Sequence, residues 1–380
     1  MAAKPSRLIR LAADQRVRFA CYLLLLLPLL LRRELTPTNE LKYLQIADEA
    51  LRDGHFWCLF HNGAIYADKP PLYLWIIMAC RRLLGFHCIP LLELFSLLPA
   101  FGVLAILDRW AGRGLTLRWR IVAEAALLTT AYFLGGALVL RMDMLMVFFI
   151  TLSMRLFWRI DQGDENPWLK AGFAAAVFMA IFSKGPAGFL FPIVGCFVWL
   201  LHERRLRDFG KAWGWRTWLI LIALCGIWWG SVYAEGGRPY IDDLLFHQTF
   251  DRAVDAFHHK RPWYWYLYTV WYAMGPWSLL TIPMAVRSAF RKQESDDALT
   301  RFFLLISLSF FVLMSCFSAK LQIYLLPLFG FVNYAAFRLL QAADDGTRTW
   351  PGRICTVSAA VAALMLAACV AAGFFFPNIF

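Results

Sequence analysis

Residues 302–317 read FFLLISLSFFVLMSCF, an apolar run without Asp, Glu, Lys or Arg. A run that is hydrophobic on every face of a helix belongs in a large protein core or in a bilayer. Similar runs follow one another along the chain, each ended by charges, Gly or Pro. This pattern predicts an all-α polytopic membrane protein with about eleven transmembrane helices. The predicted spans lie near residues 17–31, 88–107, 121–140, 143–158, 168–183, 186–201, 217–234, 263–286, 302–317, 320–338 and 354–376.

The composition of the chain supports this prediction. Of its 380 residues, 60% are hydrophobic and 17% are charged, whereas soluble domains carry about 25% charged residues. A soluble enzyme, a disordered tail and a coiled coil are therefore excluded. The net charge of +12 is explained by Lys and Arg in cytoplasmic loops, so no nucleic-acid partner is expected. The nine Cys show no paired spacing, which predicts neither a disulfide framework nor a zinc site.

Charge asymmetry predicts the orientation of the spans. The first run resembles a signal peptide, but residues 31–34, LRRE, offer no small-residue cleavage site, so we expect an uncleaved anchor. With the N-terminus in the cytoplasm, 24 of the 38 Lys and Arg lie on the inner side and 14 on the outer side. Because cytoplasmic loops are enriched in these residues, the sequence predicts an inner N-terminus and an outer C-terminus.

Two predicted outer loops, residues 32–87 and 235–262, are too long to be simple connections. In the first loop, apolar residues recur at helical spacing after Asn39 and stop at Gly54, which predicts an amphipathic helix. Asn62-Gly63 then predicts a small hairpin. Residues 72–84 predict a second helix, ended by Gly85. This helix is too short to cross a bilayer and is suited to the membrane interface.

Unusual polar residues gather on the predicted outer side. Each has a structural alternative: an acid in a first helical turn favours the helix dipole, an Asp-Lys or Arg-Asp pair can be a solvated turn or helix-end pair, and a junction lysine can reach headgroups. Together, several cations and a few acids on one face suit the phosphate of a lipid headgroup. Since nucleotide sugars are not supplied outside the cytoplasm, a sugar used there must arrive on a lipid carrier. The residues are Glu40, Asp68, Lys69, Arg141, Asp143, Lys184, Arg252 and Lys320.

These residues, in this order, resemble the bacterial membrane glycosyltransferases of the GT-C class. The resemblance is to the undecaprenyl-phosphate aminoarabinose transferases of lipid A and to the related protein mannosyltransferase-like family. Each matching stretch is weak alone, but together they are specific. The stretches are Asn39 to Tyr43, Tyr66 to Tyr73, Arg141 to Met144, Lys184 to Pro186, His259 to Leu267 and Lys320 to Pro327.

The resemblance implies an activity and a place for it. It implies inverting transfer of a sugar from a polyprenyl-phosphate donor to a lipid, glycan or protein acceptor, with a divalent metal ion often near the acids. The site would lie on the periplasmic face of the bacterial inner membrane. The implied catalytic residues are Glu40 and Asp143, which are also the candidate metal ligands. The implied donor-phosphate residues are Lys69, Arg252, Tyr324, Lys184, Lys320 and Arg141, with Asn39 and Asp68 as further first-loop candidates.

The chain departs from the family pattern in two respects. The usual Asp-Glu pair of the first outer loop is Asn39-Glu40 here, which leaves open both the identity of the base and the need for a metal. Larger relatives carry a soluble outer domain, whereas this chain stops at Phe380; we therefore expect a single transmembrane domain over residues 1–380 without such a domain. The alternative function is a lipid-linked sugar transporter or flippase. Such a protein would place charges at mid-membrane and contain paired half-repeats.

Overall fold

The computed structural model describes residues 7–36, 39–245, 260–290, 297–344 and 349–375. Arg252, one of the predicted donor-phosphate residues, lies outside the described residues. The described chain is almost entirely helical, with one two-stranded antiparallel hairpin in which Phe60 pairs with Ile65 and His61 with Ala64. The protein is a multi-pass membrane protein, as its apolar helices indicate.

The elements follow one another in a single series. The helices are α1 (Arg7–Ala13), α2 (Gln15–Arg32), α3 (Glu40–Asp53), α4 (Leu72–Leu84), α5 (Ile89–Trp110), α6 (Leu117–Leu128), α7 (Ala131–Leu138), α8 (Asp143–Asp161), α9 (Pro167–Lys184), α10 (Ala187–His202), α11 (Phe209–Ala212), α12 (Trp215–Asp242), α13 (Trp265–Ala273), α14 (Ser278–Phe290), α15 (Ala298–Cys316), α16 (Leu326–Ala342) and α17 (Trp350–Phe375). The strands are β1 (Phe60–His61) and β2 (Ala64–Ile65), and short 3-10 turns lie at Gly112–Gly114, Leu206–Asp208 and Gln322–Leu325.

Helices occupy all of the predicted apolar runs, but not all of these helices are continuous spans. Within the described residues, five helices are long and apolar enough to cross a bilayer alone, and six if α6 and α7 form one span bent by 65°. Within the predicted spans at 121–140 and 263–286 the helix is broken: α6 is separate from α7, and α13 from α14.

The two breaks lie against each other. The Ala131 backbone N–H donates to the Gly275 carbonyl at 2.9 Å, and the Trp277 indole donates to the Thr129 hydroxyl at 2.9 Å. A broken helix within a bilayer leaves backbone groups without helical partners, which is tolerated only where other parts of the protein satisfy them. Pairing the two breaks supplies such partners, which is why neither run needs to be a continuous helix.

The first predicted outer loop folds over one end of the bundle, which we call the loop end. As predicted, α3 and α4 end at Gly54 and Gly85, both with φ of 78°, a conformation that glycine adopts without steric cost. Apolar side chains of the two helices, including Ile46, Ala47 and Ile77, form a second buried cluster beside the main core. The loop is therefore a packed layer with its own core.

Helix α12 holds this layer in place. It continues to Asp242 with a kink at Gly237, so the loop expected from residue 235 begins later. The Glu235 carboxylate accepts hydrogen bonds from the consecutive backbone N–H groups of residues 56–58 at 2.9, 2.9 and 3.1 Å. The buried Tyr240 hydroxyl accepts from the Leu59 N–H at 2.9 Å and donates to the Tyr66 carbonyl at 2.9 Å. These bonds fix the chain leading into residues 66–69.

A buried ionic network joins α2, α5 and α6 at the opposite end. Arg18 donates to Glu124 at 2.7 and 2.8 Å and to Asp108 at 3.3 Å, and Arg120 also pairs with Asp108. Two cations thus balance two acids. Ionisable side chains at membrane depth are tolerated when they are paired in this way. With its charges balanced, the network acts as a structural tie between the three helices.

Candidate active site

The site lies at the loop end, where helix termini meet. Asp143 is the first residue of α8, and Lys184 is the last residue of α9, which packs beside α8. An acid at a helix N-terminus and a cation at a C-terminus both interact favourably with the helix dipoles. The chain topology explains why Asp143 and Lys184 lie together, because two consecutive antiparallel helices bring the start of one next to the end of the other.

Asp143 is fully buried between two cations. Its Oδ2 accepts a hydrogen bond from Arg141 Nε at 2.9 Å, and its Oδ1 accepts one from Lys184 Nζ. Separating the partners of a buried, hydrogen-bonded ion pair is strongly unfavourable. Both oxygens of Asp143 are therefore committed to holding the two cations in place.

The cations extend into a larger cluster. Lys184 Nζ lies 5.0 Å from the ring centroid of Tyr324, and Lys69 is close enough to Lys184 for the two charges to repel. Arg141 interacts electrostatically with Tyr324 and with Tyr43. We call Lys69, Arg141, Lys184 and Tyr324 the cation cluster. The structure thus brings together four residues that the sequence placed far apart.

The backbone of Arg141 is itself held by one buried hydroxyl, that of Ser96. The Ser96 hydroxyl on α5 donates to the Arg141 carbonyl at 3.1 Å and accepts from the Arg141 N–H at 3.3 Å. It also lies 3.0 Å from the Tyr73 hydroxyl. Sequence reasoning missed Ser96 and Tyr73, because a Ser or Tyr in an apolar run carries no signal that it will contact a loop 45 residues away.

Asp68 lies at the rim of the cation cluster, next to Lys69. Its Oδ2 is 3.5 Å from Lys69 Nζ and 3.5 Å from the Tyr66 hydroxyl. The side chains of Asp68 and Lys69 are 25% and 19% exposed, in contrast to the fully buried Asp143. Lys42 Nζ lies 4.6 Å above the ring of Tyr66. Asp68 is thus an acid beside fixed cations that solvent can reach.

Glu40 occupies a different environment from the one expected of a base. Its carboxylate accepts from Arg33 at 2.6 and 2.9 Å, from the Thr36 N–H and hydroxyl at 2.6 and 2.8 Å, and from the Leu140 N–H at 2.6 Å. Burial disfavours its charged form, but these bonds outweigh burial, so the pKa of Glu40 lies below its usual value. A low pKa and five donors make it a weak proton acceptor.

The same guanidinium binds a second buried acid. Arg33 donates to Glu93 of α5 at 2.6 and 3.1 Å, so that Arg33, Glu40 and Glu93 join α2, α3, α5 and the segment before Arg141. We call these three residues the clasp. Sequence reasoning missed Arg33 and Glu93, although a lone acid in an apolar span is a signal worth pursuing.

Two predicted residues lie in settings other than those expected. Asn39 directly precedes α3, and its exposed side chain makes no capping hydrogen bond to that helix. Lys320 is buried, and its Nζ donates to the carbonyls of Phe317 and Arg261, the latter at 3.2 Å. Those bonds join two loop segments, and Lys320 is not a member of the cation cluster.

Glu40 and Asp143 do not fit the divalent metal ion that the resemblance implied for them. A hard cation needs carboxylate lone pairs directed towards it, whereas those of Glu40 and Asp143 point to guanidinium, ammonium and N–H groups. These fixed positive charges would also repel the ion. Across the described ranges, no three His, Cys, Asp or Glu side chains group together in a way that could hold a metal.

The family of the chain is indicated by sequence comparison. Residues 17–232 match the profile of the family described as dolichyl-phosphate-mannose-protein mannosyltransferase. A relative from Pseudomonas paraeruginosa, named undecaprenyl phosphate-alpha-4-amino-4-deoxy-L-arabinose arabinosyl transferase, is 28% identical over 320 residues, which are 81% of this chain and 56% of the relative. The chain thus spans little more than half the length of that relative.

Solved structures share the fold. ArnT from Cupriavidus metallidurans bound to undecaprenyl phosphate superposes with a TM-score of 0.76 at 18% identity, covering 92% of this chain and 63% of that protein. The Archaeoglobus fulgidus oligosaccharyltransferase superposes with a TM-score of 0.57 at 11% identity, covering 96% of this chain and 56% of that protein. The chain therefore shares the fold of these two membrane proteins.

Proposed function

This chain belongs to the dolichyl-phosphate-mannose-protein mannosyltransferase family, and we propose that it transfers a sugar from a polyprenyl-phosphate donor to an acceptor hydroxyl by an inverting mechanism. The donor is proposed to be an undecaprenyl-phosphate sugar, as in the name of the Pseudomonas relative. For the acceptor, lipid A is the first candidate, and a glycan or a protein is the alternative. The observation that supports this proposal most directly is the cation cluster.

Charge in the cluster supports binding of a lipid phosphate. Lys69, Arg141 and Lys184 exceed the neighbouring acids Asp68 and Asp143 by one positive charge. As the bond from the sugar to the phosphate breaks, negative charge grows on the phosphate oxygen. Cations already fixed at that oxygen stabilise the transition state more than the ground state. Tyr324 and, in the part of the chain beyond the described residues, Arg252 complete the proposed donor-phosphate site.

Residues of the chain itself perform the proposed steps. Asp143 holds Arg141 and Lys184 at the phosphate, and the clasp holds the Leu140 backbone next to them. Preorganised groups of this kind need no rearrangement as charge develops. No step is assigned to a metal ion, since the donor sets of Glu40 and Asp143 do not fit one.

The distribution of charge favours a transferase over a transporter. The network of Arg18, Asp108, Arg120 and Glu124 at the opposite end is neutral and joined by close pairs. At the loop end, by contrast, Lys69, Arg141 and Lys184 carry one positive charge more than the acids next to them, Asp68 and Asp143. A carrier that exposes its lipid phosphate to each face in turn would need binding charge accessible from both sides.

The test of the proposed function is donor cleavage by purified protein. The protein in nanodiscs is incubated with undecaprenyl-phosphate 4-amino-4-deoxy-L-arabinose labelled in the sugar, with and without lipid A. We expect acceptor-dependent release of undecaprenyl phosphate and labelled lipid A, detected by mass spectrometry. Movement of intact donor across the bilayer without cleavage would instead support the transporter.

The orientation of the protein gives a separate prediction. We propose eleven crossings with the loop end on the periplasmic side, from the excess of Lys and Arg at the opposite end. Alkaline phosphatase is active only outside the cytoplasm, so fusions after Gly185 and after Phe380 should be active and a fusion after Gly163 inactive. Cellular enzyme assays, with immunoblots for fusion abundance, check this. An active Gly163 fusion would reverse the orientation.

A further inference from the structure

Three arginines lie together at the end of the bundle opposite the loop end. Arg155 and Arg159 are four residues apart on α8, so their side chains lie on the same face of that helix. Arg113 lies in the 3-10 turn that follows α5, a helix that packs along α8. Both Arg113 and Arg159 are close enough to Arg155 for their charges to repel it. We call these three residues the arginine group.

Arg155 is the member of the group that most needs an anion. It is half-buried and lies about 9 Å from the end of α8, measured along the helix axis. Its guanidinium is 5.2 Å from the ring centroid of the buried Trp110. Among the residues that the structure describes, the charged groups that act on Arg155 are Arg113 and Arg159, and no acid is among them. A cation at membrane depth is costly unless an anion pairs with it.

The same end of the bundle shows how the chain stabilises a buried cation when it supplies the partner itself. Arg18 is paired with both Asp108 and Glu124. In the arginine group, by contrast, Arg159 pairs with Asp164 at 2.5 Å, and this is the group's one salt bridge within the described ranges. Three arginines and one acid leave two positive charges uncompensated. The group can therefore accept an anion from outside the chain.

The indole of Trp110 adds an independent observation at the same place. Trp110 is 6% exposed, and its Nε1 has no hydrogen-bond acceptor in the part of the chain that the structure describes. Because the Arg155 guanidinium lies over this ring, the unpaired cation and the unpaired N–H are neighbours. The ring of Trp158 lies 6.2 Å from that of Trp110, and tryptophans are enriched at the depth of lipid headgroups. A phosphate has enough oxygens to accept from several such donors.

We propose that the arginine group and Trp110 bind the phosphate of an anionic phospholipid from the leaflet that borders this end. A guanidinium binds a phosphate through two parallel hydrogen bonds, and basic pockets between transmembrane helices suit anionic headgroups. A zwitterionic headgroup fits less well, because the arginines repel its ammonium.

This lipid site is separate from the cation cluster. Asp143 and Arg155 lie about 18 Å apart along α8, so one phosphate does not contact both. A phospholipid held at Arg155 is therefore not the sugar donor, and the lipid site does not depend on the proposed function.

Native mass spectrometry of the delipidated protein tests the proposal, with phosphatidylglycerol and phosphatidylethanolamine titrated separately. We expect wild-type protein to bind phosphatidylglycerol more tightly than phosphatidylethanolamine by roughly tenfold or more. In Arg155→Gln the affinity for phosphatidylglycerol should fall roughly 10- to 100-fold, as for loss of a hydrogen bond to a charged group. Arg113→Gln should also weaken it, and because Arg113 is exposed, this second variant keeps the fold.

Arg207→Gln is the matched control, because Arg207 is an exposed arginine of the same end that lies outside the group; it should bind both lipids as wild type does. Equal binding of the two lipids by wild-type protein would overturn the proposal, and so would wild-type binding in both Arg155→Gln and Arg113→Gln. Displacement of phosphatidylglycerol by excess inorganic phosphate would show a site for a soluble anion and overturn the lipid assignment. Tighter binding of undecaprenyl phosphate than of phosphatidylglycerol, lost in Arg155→Gln, would overturn it in favour of the carrier lipid, as a transporter requires.

Discussion

Lys69→Ala is expected to reduce turnover by roughly 30- to 5,000-fold, equivalent to about 2–5 kcal/mol of lost interaction with the donor phosphate. The Lys69 side chain is partly exposed, at 19%, and its contact with Asp68 is long at 3.5 Å. Its removal therefore leaves the protein folded but takes away a positive charge where the leaving phosphate gains negative charge. Donor cleavage by equal amounts of folded protein measures the effect.

The control for this prediction removes a positive charge elsewhere on the same layer. Arg52 on α3 is 70% exposed and pairs with its neighbour Asp53. Arg52→Ala should leave turnover within about twofold of wild type, since exposed ion pairs contribute little. Lys69→Arg should keep part of the activity, because a cation remains. Equal turnover in Lys69→Ala and wild-type protein would remove Lys69 from the phosphate site.

Glu40→Ala is expected to lower the free energy of unfolding by about 3–5 kcal/mol, the cost of removing one partner from a buried ion pair. The change leaves the Arg33 guanidinium with Glu93 alone and the Leu140 N–H without its acceptor. Glu40→Gln should cost less, because an amide oxygen still accepts hydrogen bonds. Unfolding by SDS titration from mixed micelles, followed by tryptophan fluorescence, measures the difference.

Acidification should weaken the same clasp. The pKa of Glu40 is lowered in the folded protein. The stabilisation that its carboxylate contributes is therefore present above the pKa of an unfolded glutamate, about 4.3, and is lost as pH falls towards the folded value.

Glu49→Ala provides the control for the Glu40→Ala prediction, because Glu49 accepts its hydrogen bonds at the exposed hairpin turn. A Glu40→Ala protein as stable as Glu49→Ala would show that the clasp does not hold the layer.

Local patterns predicted the helices because the signals for them are local. An apolar run long enough for a bilayer is visible without its partners, and the positions of Gly54 and Gly85 predicted where α3 and α4 end. Alternation of spans also predicted that Asp68, Asp143 and Lys184 would share one side. That part of the site could be predicted because a bilayer sorts loops to two faces, whatever the packing.

Packing decided which of these groups bond to one another. The distance between two faces of a bilayer is tens of ångströms, whereas a hydrogen bond requires about 3 Å, so knowledge of the face does not identify the partner. Glu40 was expected to meet substrate, but Arg33 and Thr36 fill its lone pairs. Lys320 was expected at the phosphate, but it bonds to loop carbonyls.

The breaks in two helices have the same origin. Nothing in residues 121–140 or 263–286 reveals that Ala131 will donate to the carbonyl of Gly275, because the bond that makes each break tolerable comes from the other one. From residues alone, the membrane class, the helices and the shared face of the site could be predicted. The clasp and the paired breaks follow from contacts between distant residues, since a buried polar group is stable only with a partner that the folded chain supplies.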